Sequence, residues 1–262
     1  MTPASRTTSD ELDRLGELRY GAVGGRRPID LRLRLRLDGS AELYLGSSWS
    51  LPGRSVDTVG RFGGPDLVDP ERVRELAGSI AADASAGGMA TQPFDAIPRV
   101  ARLVFDGDSR RIDLAGPIGP AEQGLLEIAG GLLDKPLAAI RGRLDRSTSA
   151  VELVNVGFEP ASLILVDPEP TAAGLFVRWP GDADPSESAG SWPTDRTVLD
   201  RAVAEGRLPP GRVDLSPGGR LVVGIPAAAT EDASSVALSF AWPGEGPERR
   251  LVTLLARPIG GG

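Results

Sequence analysis

Over residues 29–37 every odd position is apolar and every even one charged: Ile29, Leu31, Leu33, Leu35 and Leu37 against Asp30, Arg32, Arg34 and Arg36. A period of two is the mark of a strand with one face in a core and the other in water. Ala41, Leu43 and Leu45 repeat the alternation after Asp38-Gly39-Ser40. Parity selects the turn, because a two-residue loop at Asp38-Gly39 would put the two apolar sets on opposite faces. A three-residue loop over 38–40 keeps them together, pairing 37 with 41, 35 with 43 and 33 with 45. It sets Arg36 opposite Glu42 and Arg34 opposite Tyr44 on the wet face.

Ahead of this hairpin, Thr8-x-x-Glu11 before Leu12, Leu15 and Leu18 is a capping-box pattern and predicts a short helix to about residue 20. Behind it, the polar and Gly-rich stretch 46–64 offers Val56, Val59 and Phe62 to a third short strand. Asp69-Pro70-Glu71 then starts a helix, with Val73, Leu76, Ala77, Ile80 and Ala81 at helical spacing and Gly87-Gly88 as its stop. A second hairpin is expected over 100–114, with a turn at Gly107-Asp108 that sets Leu103 against Ile112 and Arg102 against Asp113. Gly119-Pro120 opens a last helix, whose broad apolar stripe runs through Leu125, Leu126, Ile128, Ala129, Leu132 and Leu133 to Asp134-Lys135-Pro136. Hairpin, helix, hairpin, helix predicts an α+β domain, an antiparallel sheet with two helices on one face.

Past Pro136 the periodicity becomes strand-like, over 137–144, 151–156, 162–166, 174–179, 212–215, 220–225, 236–242 and 251–256. Pro/Gly turns separate these runs, which predicts an all-β sandwich. The expected interruptions are a short helix at 197–205 and a long polar, mobile loop at 181–193. The predicted organisation is therefore a tail and short helix at 1–28, the α+β sheet domain at 29–136 and the β-sandwich at 137–262, with the boundary near 136–148.

Length fits this division, since 262 residues exceed one average domain. A hydrophobic content of 40% supplies a core. The net charge of −7 argues against nucleic acid or an anionic membrane as partner of the whole molecule. All of the 29 basic residues except Lys135 are arginine. His and Cys are both absent, which excludes imidazole bases, thiolate nucleophiles, disulfides and His/Cys metal sites. No apolar run has the length of a membrane span, and residues 1–15 have neither a basic n-region nor an apolar h-region, so a cytoplasmic location is expected.

Few residues remain for chemistry. Asp182, Asp184 and Glu187 are calcium-ligand types, but they lack the glycine and distal Glu of an EF-hand loop, and a solvated acidic loop is the simpler account. A Ser–Lys dyad would have to use Lys135, which is better explained as a cation at a helix end. The Gly-rich stretches 21–25 and 60–64 match no phosphate-binding pattern. Neither cofactor nor metal is expected. The row Arg32, Arg34 and Arg36, extended by Arg102, is either a solvated strand face or an attractor for an acidic partner. Trp179 and Trp242 end strand-like runs and belong to a core, whereas Trp49 and Trp192 sit in polar loops, where a tryptophan either anchors an interface or folds back as a lid on its own core. The expected partner contacts are Trp49, Arg54, Arg32, Arg34 and Trp192.

The order of elements over 29–133, from IDLRLRLRLDGSAELYL through DPERVRELAGSIAA and ARLVFDGDSRRIDL to PAEQGLLEIAGGLL, resembles the emfourin family of bacterial inhibitors of thermolysin-like metalloproteases. VELVNVGFEPASL, with SPGGRLVV and VALSFAW, is similar to immunoglobulin-like accessory domains of bacteria. The second resemblance implies architecture only. The first implies a binder that occludes a protease cleft, makes the loop 46–62 a suspected contact and transfers no catalytic residue. The expectation is a non-catalytic protein-binding module, a protease-inhibitor-like regulator. The alternatives are an accessory subunit of a larger bacterial assembly and, with less in its favour, a carboxylate-dependent hydrolase.

Overall fold

The computed structural model describes residues 9–24, 29–86, 97–166, 176–180, 188–191, 201, 203–206, 211–225, 235–243 and 249–258. Among these the chain is mostly β-strand, with fifteen strands and three helices. It divides into two units: Met1–Leu45, Ser50–Pro52 and Arg61–Pro136 form the first, and Gly46–Trp49, Gly53–Gly60 and Leu137–Gly262 the second.

The first unit is centred on a strand that the capping pattern conceals. Helix α1 (Ser9–Asp13) has five residues, and the chain then runs as strand β1 (Leu15–Gly24) where the helix was expected to continue to residue 20. Leu18, Tyr20 and Ala22 alternate with Glu17, Arg19 and Gly21, and pairing on both sides outweighs one more helical turn. Strand β1 pairs antiparallel with β2 (Ile29–Arg36) and β5 (Arg99–Phe105). Outside these lie β3 (Ala41–Leu45) against β2 and β6 (Asp108–Leu114) against β5. Strand β4 (Thr58–Gly64) is the third short strand expected from Val59 and Phe62.

On one face, Leu18, Leu35, Ala41 and Leu103 stand abreast, and Tyr20, Leu33, Leu43, Ala101 and Ile112 form the next row; all are buried. Helix α2 (Pro70–Ala86) packs on β1, β2 and β6, and α3 (Pro120–Leu132) on β3 and α2. Asp69 caps α2 as expected, its carboxylate accepting the Glu71 amide at 3.0 Å. Gly124 lets the helices close up, since a Cβ there would lie 2.9 Å from Leu76 Cδ2.

Both hairpins keep the expected parity but are shifted by two residues. In the first, Leu35 pairs with Ala41 and Arg34 with Glu42, so the loop is Leu37-Asp38-Gly39 and not 38–40. The last loop residue of a three-residue hairpin takes a left-handed conformation, and Gly39, with φ 87°, is the residue that adopts it. Asp38 accepts the Ser40 hydroxyl and amide, which holds its carboxyl below the usual range. In the second hairpin Phe105 pairs with Asp108, so the turn is Asp106-Gly107, with Gly107 at φ 81°. Arg102 consequently meets Arg111 and not Asp113.

The described strands of the second unit are β7 (Pro136–Asp145), β8 (Ala150–Asn155), β9 (Ala161–Val166), β10 (Phe176–Pro180), β11 (Ser188–Ser191), β12 (Gly211–Leu215), β13 (Arg220–Gly224), β14 (Val236–Pro243) and β15 (Arg249–Pro258). Strand β8 lies between β7 and β13, and β14 pairs with β10 and β15. Strand β9 pairs with β12 and touches β14 at Ala241. Their alternate residues fill one core, with Leu163, Leu165, Leu238, Phe240, Val252 and Leu254 fully buried. Trp242 belongs to it, as expected. Strand β11, bonded to β10, falls within the stretch expected as a loop, whose other residues lie outside those described. Of the helix expected at 197–205, the described residues make one turn, the Glu205 amide reaching the Arg201 carbonyl at 2.9 Å. Asn155 is fully buried and satisfied: its side chain donates to the carbonyls of Glu159 and Leu215 and accepts the Gly157 amide.

Replacing Leu35 by Ser is expected to lower the stability by roughly 2–4 kcal/mol, whereas Arg34→Ser on the opposite face is expected to cost under about 1 kcal/mol. Urea melts of the two variants check this, and equal losses would contradict a sheet buried on one face only.

Candidate functional site

The face of the first sheet turned away from the helices is the most distinctive surface of that unit. Strand parity places on it Glu17, Arg19 and Gly21 of β1, Asp30, Arg32, Arg34 and Arg36 of β2, Glu42 and Tyr44 of β3, Val100, Arg102 and Val104 of β5, and Ser109, Arg111 and Asp113 of β6. Register then lines up four like charges: Arg111 stands opposite Arg102, Arg102 opposite Arg19 and Arg19 opposite Arg34. Glu42 ends the row on β3. Like charges directly opposite one another on a sheet are destabilising.

Carboxylates offset part of this. Glu17, with a side chain 12% exposed, is bonded by Arg19 and lies 3.3 Å from Arg34 Nε and 3.4 Å from Arg36 Nε. Glu42 lies 3.6 Å from Arg34 and 3.1 Å from Arg36. Arg32 is held by Asp30 at 2.8 Å, and Arg111 by Asp113 at 2.8 Å. Arg102 is exposed and has no carboxylate partner among the described residues. Six arginines thus face four carboxylates, a local positive excess in a chain of net charge −7.

Of the contacts expected from the sequence, Arg32 and Arg34 lie on this face, together with Arg36 and Arg102 of the expected row, and register adds Arg19 and Arg111 to them. Arg32, not Arg34, stands opposite Tyr44, which is only 9% exposed. Trp49 and Arg54 belong to the second unit. The stretch around them does not protrude: Gly46 O accepts the Thr253 amide at 2.8 Å, the Leu255 amide donates to Ser48 Oγ at 2.8 Å, and Trp49 is half-buried. A run of small polar residues suggested a loop because nothing in it marked the distant β15 as its partner. Arg54 is exposed. Trp192, Asp182, Asp184 and Glu187 lie outside the described residues, and no group of metal-ligand type is found among the described ones.

A second polar cluster has almost no signature in the sequence. Glu122, in the first turn of α3, is buried, and its carboxylate accepts the Tyr20 hydroxyl at 2.6 Å and Arg99 Nη1 at 2.6 Å. Arg99 also donates to the Gly116 carbonyl. The triad joins α3 to β1 and β5 and satisfies the buried charge. The one available signal was an acid in the first turn of a helix with a buried stripe. Burial, then the bond to Glu122 and its charge, push the Tyr20 phenol well above its ordinary value, against a smaller opposing effect of Arg99.

Two outcomes are expected. Arg102→Ser should leave stability unchanged or raise it by roughly 0.2–1 kcal/mol at low salt, a gain that shrinks near 1 M salt, as urea melts at the two ionic strengths would show. Tyr20 stays protonated in the folded chain but ionises in the unfolded one above pH 10.0. The unfolded state then holds fewer protons, so this contribution to stability is complete below that pH and is lost above it, by up to about 1.4 kcal/mol per pH unit. Tyr20→Phe should flatten the alkaline slope, and an unchanged slope would contradict the triad.

Comparison with known proteins finds no family model, no curated protein and no solved structure that matches the chain.

Proposed function

We propose that the chain is a non-catalytic protein-binding module whose contact surface is the arginine face of the first unit and whose partner presents acidic side chains. The observation that carries this reading is the cross-strand row Arg111, Arg102, Arg19 and Arg34. A face that only needs solvation is better served by alternating signs, as in the pair of Arg34 and Glu42. A like-charge row is a local cost that docked carboxylates would offset, and its field would speed their encounter. The lack of His and Cys supports a binding role over catalysis.

The finer architecture belongs to the same reading: an α+β first domain in the element order of the emfourin family, and an immunoglobulin-like sandwich as accessory domain. On that likeness the partner is a thermolysin-like metalloprotease and the chain its regulator. A second reading, an accessory subunit of a larger bacterial assembly, is favoured by Phe158. It is 78% exposed on a turn that Asn155 holds from both sides, a preorganised aromatic of the kind that anchors interfaces.

Capture from native lysate of the source organism, followed by mass spectrometry, is the test. The intact chain is expected to recover one protease and to inhibit it. The Arg102→Glu/Arg111→Glu variant, with an unchanged melting temperature, is expected to recover much less. A stoichiometric multi-subunit complex would favour the second reading, and equal recovery by the variant would remove the arginine face as the contact.

A further inference from the structure

We infer that the arginine row receives an acidic α-helix of the partner, laid across the strands with its carboxylates one helical turn apart. This rests on the acidic-partner reading above and adds the shape of what binds.

Spacing is the first argument. Neighbouring strands lie about 4.8 Å apart, so four arginines on four consecutive strands are rooted over about 14 Å. Carboxylates at i, i+4, i+7 and i+11 of a helix share one face and span about 16 Å, at 1.5 Å per residue. In an extended peptide the side chains on one face recur about every 6.7 Å, and four of them span about 20 Å. Flexible arginine stems absorb a mismatch of about 2 Å far more readily than one of about 6 Å.

The floor beside the row is the second argument. In the neighbouring row Gly21 stands opposite Val100, between Asp113 on β6 and Arg32 on β2. The centre of that row therefore carries no charge and, at Gly21, no side chain. A helix body resting there brings its acidic face over Arg102 and Arg19 and leaves its apolar residues against Val100. Arg102 has no carboxylate partner to give up, so it is the position where an incoming carboxylate replaces nothing but water.

Nucleic acid fits less well. The whole chain carries −7, which opposes a long polyanion, and the one aromatic on this face, Tyr44, is too buried to stack a base.

Fluorescence anisotropy with the full chain tests this. Two synthetic peptides of equal length and composition each carry four Glu on an Ala-rich helix-forming background, at i, i+4, i+7 and i+11 in one and at alternate positions in the other. A short single-stranded RNA is the third probe. The helix-phased peptide is expected to bind at least about tenfold more tightly than its isomer, and to lose about tenfold with Arg102→Glu/Arg111→Glu. Thermal melts of the variant confirm that it is folded. Equal affinity for the two peptides would overturn the helix while leaving the acidic partner standing. Tighter binding of RNA, or a variant that binds as well as the parent, would overturn it too. If neither peptide binds more tightly than about 1 mM, both the inference and the reading beneath it fall.

Discussion

Strand parity in β1 and β2 is the constraint on which the first unit depends. Moving β2 by one residue would turn Arg32, Arg34 and Arg36 into the core, and each buried, unpaired charge costs several kcal/mol. Moving it by two residues keeps every leucine inside and changes only which neighbours meet. Hydrophobic burial therefore specifies the face strongly and the register weakly, and the turns settle the remainder. Gly39 and Gly107 each sit at the single loop position that needs a positive φ, and this slides both hairpins two residues from the pairing that simple parity suggests. The arginine row follows from that slide, because it replaces Asp113 with Arg111 as the neighbour of Arg102.

These particulars also show how far the sequence was legible. The long helices α2 and α3 were readable because Asp69-Pro70 and Gly119-Pro120 mark their starts and their apolar stripes are uninterrupted. The strands past Pro136 were readable from alternation between Pro/Gly turns. Strand β1 was not, since Leu12 and Leu15 fit a helix as well as a strand until the partners on either side are known. The turn chemistry is present in the letters, in Asp38-Gly39 and Asp106-Gly107, but parity is the same in both registers and does not choose between them. For Trp49 and Glu122 local reading offered no more than an acid in the first turn of α3, because the environment of each is made by residues far away in the chain.

A tryptophan in a polar stretch is a natural suspect, yet the segment around Trp49 is occupied by hydrogen bonds of its own unit. The outer face of the first sheet instead carries a row of like charges that its carboxylates offset only in part, in a protein whose overall charge has the opposite sign. Net charge is a statement about the whole molecule at long range, and a row of guanidinium groups acts within a Debye length of about 10 Å. The two coexist without conflict.

The bond between Leu255 and Ser48 joins residues 207 positions apart. At 5–20 residues per second, a ribosome would take about 10–40 s to go from one to the other. During that interval the early strands of the first unit pair with near neighbours, while the donors and acceptors of Gly46, Ser48 and Ser55 wait for Thr253, Leu255 and Arg257. Strand β15 thus completes the hydrogen bonding of this early segment. A chain that stalls, or is clipped ahead of β15, leaves those groups bonded to water, so this segment of the first quarter takes its final place only once residues 249–258 have been made.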